Sequence, residues 1–417
     1  MKRLALASLY ALLAGAPAWA WAQHAAEPGL ALLPPEATVR QVLAAMPQLR
    51  EVALQGELAQ ANKAGLEAGR HEWTVRGGVS TRNELAGPTW REQELALERP
   101  VRWFGKAAQD AAIGATGIAV AEAAHEDAWH EAGRTLMTDW FSAVRENVAV
   151  ARLEQQYALA GQLVRIAVQR VKAGDGAALE QLQAETEQSR VAAQLQQARQ
   201  RGALAQQLLR STYPGLPPAL AGALPVPPEA EGTADSWVAS IVGHNHELEL
   251  AEGEARLAAQ QARRTSAERM PDPTVSVRAS RERGGQERVL GLMLSMPLPG
   301  AARGADTRAA SARAEQARER LDLARIRVDA AARRVVLDSG HSRQIWQTMD
   351  SIAQQSERQA ALMMKAYAAG EVSLSEALLA RRQALDAALA AQTSQLDALQ
   401  AYARLKLDAH MLWAFEE

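Results

Sequence analysis

The segment Val289-Leu290-Gly291-Leu292-Met293-Leu294-Ser295-Met296 sets Leu290, Leu292, Leu294 and Met296 on alternate positions. Period two with one continuous apolar face marks a strand rather than a helix. A run of ~8–10 residues with such a face suits a strand that meets lipid in a closed barrel. Three more segments obey the same rule. Trp73, Val75 and Val79 alternate with Thr74, Arg76, Ser80 and Arg82; Leu95 and Leu97 alternate with Glu94, Ala96 and Glu98; Val275, Val277 and Ala279 alternate with Thr274, Ser276, Arg278 and Ser280. The expected strands are 73–82, 93–101, 274–281 and 288–297, joined in pairs by polar, Gly-bearing tips at 83–93 and 282–287.

Each pair runs into an exceptionally long helical stretch. No proline interrupts 105–172 or 301–369, which are 68 and 69 residues and would span ~100 Å each at 1.5 Å per residue. Shorter helices are expected at 40–70 and 177–212 in the first half, and at 236–269 and 374–412 in the second. In each half the two short helices together match the long one, so end to end they could flank it along its whole length. Leu153, Tyr157, Ala160, Val164, Ala167 and Val171 keep a 4-3-4-3-4 spacing, and Leu378, Leu385, Leu389, Leu396, Leu399 and Ala403 mostly do so; this is a coiled-coil seam.

Six prolines between Tyr213 and Pro228 break the chain near its middle. The halves on either side correspond at an offset near 200: Thr74-Val75 with Thr274-Val275, Pro100 with Pro297, and Gly174, Glu180, Leu182 and Ala184 with Gly370, Glu376, Leu378 and Ala380. Both halves follow the order helix, strand, loop, strand, very long helix, tight turn, helix, which argues for an internal repeat. The organisation expected is a signal peptide at 1–22, an extended segment at 23–39, a first repeat at 40–212, a Pro-rich linker at 213–235, a second repeat at 236–412 and a tail at 413–417. The fold class is mainly α with a small β part.

The N-terminus carries Lys2 and Arg3 before an apolar run from Leu4 to Gly15, and Ala20-Trp21-Ala22 gives a small-residue cleavage pattern before Gln23. Composition agrees with long packed helices: 48% of residues are apolar, only 4% aromatic, and the formal net charge is −2. Near-neutrality argues against a nucleic-acid binder, which would show a basic face or tail, and zero Cys excludes disulfides, thiolate metal sites and thiol catalysis. Four strands cannot close a membrane barrel, the smallest of which use ~8. Three copies supply 12 strands around a space wide enough for a solute, whereas eight would enclose only side chains. A homotrimer is therefore expected.

The duplicated strand–strand–long-helix unit, with Tyr367-Ala368-Ala369-Gly370 before Glu376-Ala377-Leu378 and Val171-Lys172-Ala173-Gly174 before Glu180-Gln181-Leu182, resembles the TolC-like outer-membrane efflux protein family. The resemblance covers about Arg40 to Leu412. It implies a homotrimer with a 12-stranded barrel in outer-membrane lipid and a long periplasmic helical barrel. Such a protein is the passive exit duct of a tripartite pump, completed by a periplasmic adaptor (membrane fusion protein) and an energised inner-membrane pump, here of the RND type. The compact length and short external loops resemble most the members that export cobalt, zinc, cadmium or copper. Absence of cysteine departs from the lipid-anchored members.

On this resemblance Gly174 and Gly370 mark the helix-reversing tips that dock the adaptor, and each needs a positive φ. Glu180 and Glu376 fill the acidic position six residues after each tip glycine, and Tyr367 fills a tyrosine position that helps hold the entrance shut. Val372 stands where an arginine is often found two residues after the second glycine, a departure that argues against a charged latch built on it. Repeated by threefold symmetry, the two glutamates would form carboxylate rings favouring cations; equally, they would be helix-start charges offsetting the dipole. Arg76, Arg82, Glu94, Glu98 and Arg278 are candidate barrel-lumen residues of mixed sign. Trp73, Trp103 and Phe104 meet at one end of the first hairpin, either as an aromatic girdle or as core rings beneath the sheet.

Catalytic chemistry has no constellation behind it, and neither an enzyme activity nor a cofactor is expected. His125 and His130 are five residues apart, not the four that share a helix face. His244-Asn245-His246 offers two histidines without a nearby third ligand in sequence, so no metal site is assigned. Drug or type I protein export through the same channel is one alternative; a soluble periplasmic coiled-coil scaffold is another.

Overall fold

The computed structural model describes residues 28–69, 71–174, 176–219 and 222–414. The expected signal peptide at 1–22 and tail residues 415–417 lie outside them. Eight helices and four strands are described: α1 (Glu36–Ala45), α2 (Pro47–Ala68), β1 (Thr74–Asn83), β2 (Thr89–Pro100), α3 (Lys106–Lys172), α4 (Ala178–Thr212), α5 (Ala234–Gly243), α6 (His246–Ala267), β3 (Thr274–Glu282), β4 (Glu287–Ser295), α7 (Ala301–Ala368) and α8 (Leu374–Asp408).

The long helices come out at 67 and 68 residues. Other boundaries move for local reasons. Part of the supposedly extended 23–39 is helical: Pro28–Leu30 makes a short turn and α1 begins at Glu36, because Val39, Val42 and Leu43 find buried positions one turn apart. The expected helix 40–70 breaks at Met46, whose ψ of 131° is extended; Pro47 disfavours the α conformation in the residue before it. The expected helix 236–269 splits at His244-Asn245. Asn245 caps α6 by accepting the Leu248 N–H at 3.0 Å, and a Thr233–Ser236 capping box starts α5. The final helix stops at Asp408 rather than 412, since His410 and Trp413 adopt φ of +59° and +52°. Strand β2 begins earlier than expected, at Thr89, which shortens the first tip to five residues, 84–88.

Helices α2 and α4 both lie along α3, while α6 and α8 both fill the space between α3 and α7. Two short helices thus accompany each long one. Alanines at the contacts, among them Ala184, Ala198, Ala332, Ala377 and Ala391, are buried, so axes approach closely without large side chains. Of the first seam, Leu153, Ala160 and Ala167 are buried, while Tyr157 is half out in solvent at 40% exposure. The largest apolar cluster sits midway along α3. Leu136, Phe141 and Val144 pack there against Val39 and Leu43 of α1, Leu399 and Leu407 of α8, and Tyr213. Full burial of each such side chain contributes ~1.5–3 kcal/mol. Two tryptophans in it satisfy their indole N–H groups on main-chain oxygens, Trp140 on Leu32 at 2.8 Å and Trp129 on Trp413 at 3.2 Å.

The strands form one antiparallel sheet in the order β1-β2-β3-β4, so β1 and β4 are its two edges. No described helix is long and apolar enough to cross a membrane.

Candidate functional site

Register decides what the sheet can do. Val75 pairs with Leu97, Leu97 with Val277, and Val277 with Leu292; Gly77, Leu95, Ala279 and Leu290 form the next such row, and Val275 opposes Leu294. Directly opposed residues point the same way, so the apolar positions of all four strands share one face. That face is bare: Val79, Leu290, Leu292 and Leu294 are 73–80% exposed. An apolar surface spread over four strands and left open marks an interaction or membrane surface. The 9 residues of β4 cover ~30 Å along the strand, or ~23 Å at a 40° tilt, close to the ~25 Å apolar band of membrane barrels.

The opposite face is polar and internally paired. Arg76 meets Glu98 at 2.7 Å, Arg278 meets Glu94 at 3.1 Å, and Arg82 meets Glu92 at 2.9 Å and Glu282 at 3.3 Å. All five lumen candidates therefore share one face, and each meets an opposite charge on it.

Polar residues bracket the apolar face. Towards the hairpin tips the same face carries Arg91, Arg281 and Arg288. At the helix end Arg99 lies over the Trp73 ring at 5.2 Å. Phe104 there is 91% exposed and meets half-buried Trp103 edge-on at 5.7 Å. Trp73 and Phe104 are exposed rings, which disfavours the core alternative for both.

A collar of charge joins sheet to helices. Lys106, fully buried, gives hydrogen bonds to Asp272 and to the Met270 carbonyl, both at 2.8 Å, and pairs with Glu268 at 3.2 Å. Asp272 also accepts the Trp103 N–H at 2.9 Å and stands 3.0 Å from His71. Burial alone would raise the Asp272 carboxyl. The Lys106, Trp103 and His71 contacts outweigh it and hold the group at about 2. No sequence motif announces this collar, because its members come from the start of α3 and from three separate connections.

At the far end, Gly174 and Gly370 reverse the helices with φ of +78° and +80°. Beyond them Glu180 and Tyr367 come together: the Tyr367 hydroxyl donates to Glu180 Oε2 at 3.1 Å, with the Arg170 guanidinium over the ring at 5.3 Å. Burial, then the neighbouring Glu180 carboxylate, raises the Tyr367 hydroxyl. Glu376 is not part of this group. Its carboxylate accepts the Ser373 N–H at 2.8 Å and closes a capping box on α8. Sequence reasoning missed a second bridge between the hairpins: Glu187 of α4, 7% exposed, accepts from Arg382 of α8 at 2.6 Å and from Arg190. Burial would lift the Glu187 carboxyl, but the two guanidinium groups bring it below its ordinary range. Its only sequence signal was an i, i+3 pairing with Arg190.

The sequence matches no family model and no curated protein. Solved structures do match over nearly the whole chain. The Campylobacter jejuni CmeC outer membrane channel aligns with a TM-score of 0.76 at 13% identity, over 100% of this chain and 96% of that one. The outer membrane protein VceC of Vibrio cholerae gives 0.74 at 17%, over 89% and 95%. The Neisseria gonorrhoeae MtrE outer membrane channel, solved in its open state, gives 0.69 at 15%, over 92% and 90%. The chain has the fold of these outer-membrane channels.

Proposed function

We propose that this chain is the outer-membrane exit duct of a tripartite efflux pump. It works as a homotrimer, its three sheets closing into a 12-stranded barrel and its helices continuing as a periplasmic tube. One observation carries this reading: four strands in register present a single bare apolar face, and both sheet edges are open within the chain. Edges of this kind are closed by pairing, and a barrel is the arrangement that satisfies them in lipid. The same order of elements in 40–212 and 236–412 supports a duplicated unit.

Within this reading, residues of the paired-charge face line the barrel, and Trp73, Trp103 and Phe104 sit at its periplasmic rim. The tips at Gly174 and Gly370 dock a periplasmic adaptor, which couples the duct to an RND-type inner-membrane pump. Glu180 and Tyr367 form a latch at the entrance, assisted by Glu187 and Arg382, while Glu376 acts as a helix cap. Heavy-metal cations are the proposed cargo, supported by the short tips at 84–88 and 283–286, which resemble that branch.

Heat-dependent gel migration combined with cross-linking of outer membranes tests the assembly. A heat-modifiable band cross-linking to a trimer is the expected result; a monomer recovered in the soluble periplasm supports the scaffold instead. Comparing export of cobalt or zinc, of a drug and of a secreted protein by cells with and without the gene tests the cargo.

A further inference from the structure

Where α6 and α8 meet end to end beside α3, side chains from three distant parts of the sequence converge. His246 at the start of α6 places Nδ1 3.0 Å from Glu126 Oε2 on α3 and 3.8 Å from a Glu249 carboxylate oxygen. The ligating atoms of these three residues all lie within 4.8 Å of one another. Two donors on one tetrahedral ion stand ~3.4 Å apart when each bond is ~2.1 Å, so 3.0 and 3.8 Å bracket that spacing.

The His410 ring, just beyond α8, comes 4.7 Å from the His246 ring. Two nitrogens here are buried and lack a hydrogen-bond partner among the described residues: His246 Nδ1, which is near Glu126 but off the hydrogen-bonding direction, and His410 Nε2. Buried nitrogens left in this state carry a cost that a ligand would remove. Supporting groups surround them. His130 stacks on His410 at 5.0 Å and its Nε2 lies 3.1 Å from the Leu407 carbonyl, while Asp408 holds Arg134 and Arg404 at 2.9 and 2.8 Å.

We propose that Glu126, His246 and Glu249 form a resident three-ligand site for a divalent first-row transition-metal ion such as Zn²⁺, with the remaining position open to water. An imidazole–carboxylate set without sulfur suits Zn²⁺, Co²⁺ or Ni²⁺ and not Cu(I). The bound ion ties α3 to the start of α6 at the middle of the helical tube. This role is independent of what the duct transports.

The test uses tag-free full-length protein in detergent at pH 7.5, stripped with chelator and titrated calorimetrically with Zn²⁺, with Co²⁺ absorption as a second readout. One ion per chain at micromolar or tighter affinity is expected, together with a higher thermal midpoint. His246→Asn and, separately, Glu126→Gln should each weaken binding at least tenfold, whereas His341→Asn, exposed on α7, should not. Should His246→Asn fail to fold, Glu126→Gln reads the same site. No binding below 1 mM (about −4 kcal/mol) overturns the proposal, as does equal binding by wild type and both variants.

Discussion

The Tyr367 hydroxyl reaches across from one helical hairpin to the other and donates to Glu180 at 3.1 Å, close to where Arg382 bridges the same two hairpins through Glu187. Both links join the α3–α4 hairpin to the α7–α8 hairpin near the tips, so moving the two hairpins apart at that end must break them.

On the proposed function, with this pair as the entrance latch, Tyr367→Phe should shift the duct towards its open form. A hydrogen bond to a charged acceptor is worth ~1.5 kcal/mol, roughly tenfold in an equilibrium constant. Planar-bilayer recordings would read this as a higher open fraction, larger again with Arg382→Ala. Glu376→Gln, which weakens only a cap, should leave it unchanged. Equal open fractions in wild type and the Tyr367→Phe, Arg382→Ala double variant would dismiss the latch.

The two sheet faces should respond oppositely to charge. Leu292→Arg places a cation on the bare apolar face and should cost ~2–4 kcal/mol near the bilayer midplane, seen as loss of heat-stable oligomer from outer membranes. Arg278→Gln, on the paired-charge face, should assemble normally with altered conductance. If Leu292→Arg assembles as well as wild type, that face does not meet lipid.

Tip geometry predicts a contrast between two glycines. Gly370 has φ of +80°, so Gly370→Ala should destabilise by ~1–2 kcal/mol. Gly340 is exposed within α7 with nothing near its absent Cβ, so Gly340→Ala should be neutral or stabilising by up to ~1 kcal/mol. Thermal midpoints of the two variants in detergent compare them directly.

The collar predicts an acid limit. Asp272 titrates at about 2 in the folded chain against 3.8 for the free group, so between these values the unfolded chain binds more protons. Stability present above pH ~4 is then lost as pH falls towards 2, by about 2 kcal/mol. Midpoints measured from pH 6 to pH 2 should fall for wild type and flatten for Asp272→Asn. That variant is also weaker near neutrality, because it leaves the buried Lys106 charge short of a partner.

The strands and long helices were legible because their periods are local: Leu290, Leu292 and Leu294 alternate whatever surrounds them, and no proline interrupts 301–369. Tip glycines were legible too, since chain reversal itself demands a positive φ. Pairings between halves were not. Lys106 with Asp272, Glu187 with Arg382, and His246 with Glu126 are separated by at least 120 residues, and only the packing of α6 and α8 beside α3 brings such partners within reach. The helix-face argument that separated His125 from His130 holds along α3 alone; it cannot see the histidines that α6 and α8 bring to the same spot.

The open edges of β1 and β4 also bear on biogenesis. If three copies close the sheet as proposed, a lone protomer would carry two sticky margins and a greasy flank through water, a hazardous state for any chain. Productive folding should therefore scale steeply with local protomer concentration, and holding chaperones in the envelope should matter more for this protein than for a barrel that one polypeptide closes by itself.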